Sequence, residues 1–186
     1  FWGLGSGWPR AIPSDTIVAL ADNVVPSMLL QRVTLFAALA LAGLGMARFV
    51  SKGCGLGVLP GTVAATFYLW NPFVAERLII GHWPVLLGYA ALPWVLQTAR
   101  EIRGGESRWP HLAGWVWLGS LSASAGLVTG GLALLALWRR GRWRANLGLL
   151  IIVLAANSVW VVTGLWHWGL STDPAGFRAF AAHGEG

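Results

Sequence analysis

Residues 112–138, LAGWVWLGSLSASAGLVTGGLALLALW, form a run of 27 residues without a charge, and how that run is read decides the fold. As one straight helix it would be about 40 Å long against a hydrocarbon core of about 30 Å, and as two full crossings it is too short. Its middle, GSLSASAGLVTGG, is crowded with small and helix-breaking residues. The flanking charges choose between one crossing and a return. Arg48 and Lys52, then Arg100, Arg103 and Arg108, fall on one face if the earlier apolar segments alternate, and the bias of basic residues makes that face cytoplasmic. A single crossing carries Arg139, Arg140, Arg142 and Arg144 outward, leaving five basic residues in and eight out. A re-entrant hairpin with its apex near 125–131 returns them, for nine in and four out, and the acidic residues split two in and five out. The sequence therefore predicts the hairpin. Irregular backbone at membrane depth persists only where it packs in protein or lines a wet cavity. The apex is thus a candidate functional surface, and tight packing through small residues is its other use.

Composition points the same way. Hydrophobic residues make up 56% of the 186 and charged residues 11%, with 13 Trp. A soluble domain carries roughly 25% charged residues. Several uncharged runs are long enough to cross a bilayer, so the expectation is an all-α, polytopic integral membrane helix bundle, multi-pass in the cell (plasma) membrane. The single Cys54 excludes an internal disulfide and fits no metal pattern alone. The net charge of +6 does not call for nucleic acid, because in a membrane chain the placement of charge matters more than its sum. With no initial Met and a start inside a Gly/Trp/Pro loop, the chain reads as an internal fragment, and the missing signal peptide carries no information.

In chain order, residues 1–13 are an outer loop, broken by Gly3, Gly5, Gly7, Pro9 and Pro13. Ile17, Leu20, Ala21, Val24 and Val25 then share one face of a helix over 14–25, capped by Ser14 and closed by Pro26. It is too short to span and is expected at the membrane surface, with Asp15 and Asp22 on its polar side. Spans are expected over 33–50, 55–70, 85–98 and 146–165, about four in all besides the hairpin. Residues 166–186 form an outer segment. Gly53, Gly57 and Gly61, spaced by four, predict close packing of the second span.

Between the second and third spans lies NPFVAERLIIGHWP, residues 71–84, where acid, base and imidazole cluster between apolar segments. Asn71 is a good N-cap, Pro72 a good first residue, and Gly81 marks the stop, so 72–80 reads as a second interfacial helix. It presents Glu76 and Arg77, and His82 and Trp83 follow. The same features suit an anchoring loop. On this topology Asp15, Asp22, Glu76, His82, His167 and Asp173 all meet on the outer face.

No P-loop, GxGxxG, HExxH or GxSxG is present, and no His spacing suits a metal, so neither metal requirement nor cofactor is assigned. The order of elements carries a resemblance: PSMLLQR, a Gly/Ala-rich span ending at Arg48, a span closing on YLWNPF, a short helix, then GHWPVLLGYAALPWVL. It is similar to the N-terminal membrane region of GT-C type polyprenyl-phosphate-dependent glycosyltransferases, closest to actinobacterial arabinofuranosyltransferase-like membrane proteins, many described only as hypothetical. Gln31-Arg32 opening a span and Leu92-Pro93-Trp94 within a later one carry it. The resemblance implies a GT-C-like bundle that transfers a sugar from a polyprenyl-phosphate donor to a glycan or lipid acceptor of the cell envelope on the non-cytoplasmic face. It implies an outer-loop carboxylate as base, for which Asp15 and Glu76 are the candidates, although the base of such enzymes follows a first span that precedes this chain. Arg77 and His82 would hold the donor phosphate, with Asn71 beside them, and Trp83 would stack on sugar or prenyl chain. The competing class is a non-enzymatic transporter or scaffold subunit for envelope lipid or polysaccharide. Inverted repeats and acids within spans would favour transport, and neither is seen.

Overall fold

In the computed structural model, which describes residues 14–21 and 25–166, the long uncharged run breaks at 120–122 into two helices. The elements are α1 (Ser14–Ala21), α2 (Ser27–Arg48) prolonged by a π-helical turn (Phe49–Gly53), α3 (Val58–Leu69), α4 (Pro72–Ile80), α5 (Trp83–Arg103), α6 (Trp109–Gly119), α7 (Ala123–Leu137) and α8 (Trp143–Trp166). The protein is all-α, with no strand among the described residues. The break lies earlier than the expected apex, and residues 125–131 are helical within α7. Small residues there serve close packing instead of a bend. Ser122 takes an extended conformation as the N-cap of α7, which is where the chain reverses.

α6 and α7 lie side by side and run in opposite directions. Leu112 and Val116 of α6 share a core cluster with Leu137 and Ala133 of α7, and a Cβ added to Gly119 would strike Thr129. Val95 and Ala99 of α5 and Leu149 and Ala156 of α8 complete that core. A second cluster joins Ala38 of α2, Val74 of α4, Leu86 and Leu87 of α5 and Leu121 of the break. α5 is therefore the central helix, packed on α2, α6 and α7. Trp94, which stacks on Trp115 at 5.0 Å, also donates its indole N–H to the Leu41 carbonyl at 3.0 Å and so ties α2, α5 and α6 together.

The glycine ladder in 53–61 divides its labour. Gly61 alone of the three makes the close interhelical approach, its Cβ position 2.7 Å from the Ala47 carbonyl oxygen. Gly57 has φ +88 and nothing near it; it is the N-cap turn that starts α3 late, at Val58 instead of 55.

Two helices among the described residues are long and apolar enough to cross a membrane, Met28–Gly53 and Trp143–Leu165, and only 17% of each apolar window is buried within the bundle. Their outward side chains, among them Phe36, Leu44, Leu154 and Val162, are exposed and apolar. α3, at 12 residues, is about 18 Å long. α5 has spanning length at 21 residues, but Gln97, Arg100, Glu101 and Arg103 occupy its last two turns. The antiparallel α6–α7 pair brings Arg139, Arg140, Arg142 and Arg144 back to the end of the bundle that holds Arg48, Lys52, Arg100, Arg103 and Arg108. α4 caps the opposite end.

Candidate functional site

α4 is placed by its own ends. Asn71 Oδ1 accepts the Val74 N–H at 3.0 Å as the N-cap, and Pro72 takes a position whose N–H has no helical partner. Gly81 closes the helix in the left-handed conformation at φ 72, a geometry that a side chain would strain. Val74 points inward and is buried in the second core cluster.

A proline three turns away fixes the platform beneath it. Pro93 sits inside α5 and has no N–H, so the carbonyl of Tyr89, four residues earlier, loses its helical donor. The Tyr68 hydroxyl supplies the replacement at 2.8 Å. Tyr89 returns the bond: its hydroxyl donates at 2.8 Å to the Tyr68 carbonyl, one of the carbonyls left open at the end of α3. The two rings stack at 4.2 Å and 11°. Asn71 Nδ2 donates to the Tyr68 carbonyl at 2.7 Å and to the Tyr89 hydroxyl at 3.1 Å. One reciprocal clasp thus closes two carbonyls and joins α3, α4 and α5.

On the far side of Tyr89 a cavity of about 280 Å³ opens between α4, α5 and α7. Val85, Leu92 and Val128 give it an apolar wall, and Arg77 and His82 reach it from α4 and the following turn. Arg77 Nη1 lies 3.3 Å from His82 Nδ1, so the guanidinium and the imidazole are in contact at the cavity rim. The guanidinium also lies 5.4 Å from the centre of the Phe73 ring and 3.7 Å from Glu76. Its Nε is buried with no hydrogen-bond partner among the described residues. The Arg77 side chain is 27% exposed and that of Glu76 58%, so the Glu76 pair is a solvated one of small worth. A cation, an imidazole and an apolar wall suit an anion that carries a hydrocarbon chain.

The expected site residues separate accordingly. Arg77 and His82 line the cavity, and they are joined there by Ser124, Ala125 and Val128 of α7, so the two surfaces singled out in the sequence form one site. Asn71 has all its polar side-chain atoms engaged in the cap and the clasp. Trp83 packs against the second core cluster and does not line the cavity. Glu76 is near Arg77 but is not among the lining residues. Asp15 belongs to α1, with its side chain outside the described part; Asp22, His167, Asp173, the loop 1–13 and the segment 167–186 lie outside the described residues altogether. Among the described residues no acidic side chain lines the cavity, and no three His, Cys, Asp or Glu groups gather as a metal would need. Tyr68 and Tyr89 were missed from the sequence, although Pro93 marks the Tyr89 carbonyl by the four-residue rule.

Compared with family models, curated proteins and solved structures, the chain matches none.

Proposed function

We propose that this chain is the membrane-embedded part of a glycosyltransferase of GT-C type that takes its sugar from a polyprenyl-phosphate donor. The bundle spans the plasma membrane several times, with the nine-residue basic end in the cytoplasm and α4 on the outer side. The outward apolar faces of α2 and α8 support that placement, because surfaces so apolar need a non-aqueous surround.

The observation that carries the reading is the cavity: a phosphate would meet Arg77 and the His82 ring, and the first prenyl units would lie along Val85, Leu92 and Val128. The α6–α7 hairpin re-enters the membrane to supply the third wall, and at its turn the Ser120 hydroxyl donates to the Trp117 carbonyl at the end of α6. Transfer also needs a base to take the proton of the acceptor hydroxyl as the new glycosidic bond forms and the lipid phosphate leaves. Glu76, next to Arg77 in the chain but outside the cavity lining, is the described candidate for that base, and Asp15 is the second.

The test is sugar transfer from a polyprenyl-phosphate donor by the membrane-embedded protein and its variants. Arg77→Ala removes a charge-assisted bond worth about 1.5–3 kcal/mol, so donor use should fall about 10- to 100-fold. Glu76→Gln should lower turnover without weakening donor binding. Transfer that survives the changes at Glu76, Arg77 and His82 would refute the site.

A second reading, a non-enzymatic subunit that carries envelope lipid or polysaccharide, is favoured by one observation: no carboxylate lines the cavity among the described residues. Under that reading donor lipid binds, Arg77→Ala weakens it, and no sugar is transferred.

A further inference from the structure

At the end of the bundle remote from α4, Arg103 of α5 and Arg139 and Arg142 of the α7–α8 turn line one small recess with Ile102, Trp109 and Leu137. Its volume is about 40 Å³, room for a group of a few atoms on the scale on which a water needs roughly 10–15 Å³. The turn is held in shape: Asn146 Oδ1 accepts the Arg139 N–H at 3.2 Å and its Nδ2 donates to the Arg139 carbonyl at 2.8 Å. The described carboxylates at this end, Glu101 and Glu106, both pair with Arg108, at 3.6 and 3.0 Å. None of the three recess arginines has an ion pair among the described residues. All three arginines are exposed, and an anion seated in the recess they line would meet three positive charges that no described carboxylate pairs with. The recess floor is apolar and a tryptophan flanks it, which fits an anion attached to hydrocarbon better than a free one.

We propose that this recess holds the headgroup phosphate of an anionic phospholipid of the inner leaflet, with the lipid's glycerol end against Trp109 and Leu137. The site lies at the other end of the bundle from the donor cavity, and the inference rests on the bundle lying across a bilayer as read above. Such a lipid would fix the α7–α8 turn to α5 and so hold α7, whose other end walls the donor cavity.

The test uses the protein in lipid nanodiscs, with either phosphatidylglycerol or phosphatidylcholine brominated near the glycerol. The Trp109 signal is isolated as the difference from Trp109→Phe. Brominated phosphatidylglycerol should quench Trp109 more strongly than brominated phosphatidylcholine. Each recess arginine removed should weaken the preference about fivefold, so R103Q/R139Q/R142Q should abolish it. R100Q/R140Q/R144Q, which removes the same charge from outside the recess, should keep it. Equal quenching by the two lipids, or equal loss in both triple variants, would overturn the site and leave the membrane reading standing. Loss of the preference on adding inorganic phosphate would also overturn it, in favour of a free anion. Quenching by neither lipid would overturn this site and the transmembrane placement together.

Discussion

Replacing Tyr68 by Phe should destabilise the bundle by an amount that depends on whether residue 93 is proline. The hydroxyl of Tyr68 is the donor that compensates the Tyr89 carbonyl for the N–H that Pro93 lacks. Without it a part-buried carbonyl loses its partner, which costs about 1–3 kcal/mol. At about 2–4 °C per kcal/mol for a chain of this size, Tm should fall by about 2–12 °C. In a Pro93→Ala background the new N–H at 93 can bond the Tyr89 carbonyl, and Tyr68→Phe should then cost less than about 1 kcal/mol. Pro93→Ala alone is not neutral, because the ring packs where Gly45 of α2 comes closest to α5. A double-mutant cycle subtracts that contribution and isolates a coupling of about 1–2 kcal/mol. Thermal unfolding in detergent, followed by the fluorescence of the 13 Trp, measures all four corners. An identical cost of Tyr68→Phe in both backgrounds would refute the compensation.

Further outcomes follow from the same contacts. Asn71→Ala removes the cap of α4 and two bonds of the clasp, and should lower stability by about 1–3 kcal/mol, more than the about 1 kcal/mol of a cap alone; thermal unfolding reads it. Gly88→Ala puts a methyl against Ala125 where α5 meets α7, and should cost about 1–3 kcal/mol, with Ala125→Gly restoring most of it. Because the hairpin returns the chain, the exposed Cys54 and a Cys placed at Arg140 should both react with an impermeant maleimide from the cytoplasmic side. Labelling of the two from opposite sides would sink the hairpin.

The positions of helices were legible where the chain marks its ends with strong local chemistry. Asn71, Pro72 and Gly81 bracket α4 as expected, because capping and φ preference act within a few residues. Reading charge at both ends of 112–138 gave two antiparallel helices, but Gly and Ser density placed the turn too late, since small residues mark close contacts as readily as bends. As helices, α2 begins before residue 33 and α5 runs past residue 98. A helix in a bundle continues through Gln31-Arg32 or Gln97–Arg103 as long as its backbone bonds are made, whatever the side chains prefer. At the site, Arg77 and His82 stood out by type. What sequence did not reveal was their neighbour, the face of α7 with Ser124, Ala125 and Val128, because that contact joins segments some forty residues apart. Trp83 drew attention as an aromatic beside charge, yet it packs, half-buried, against the core cluster of Val74 and Leu86, a tertiary fact.

The central claim is that the cavity between α4, α5 and α7 binds a lipid phosphate through Arg77. Its most direct test is to bind a photoreactive polyprenyl phosphate to the protein in nanodiscs, irradiate, and map the labelled residues. The account predicts label within 85–92 of α5 and 124–128 of α7, lost in Arg77→Ala. Label scattered over the exposed faces of α2 and α8, and unchanged by Arg77→Ala, would contradict it.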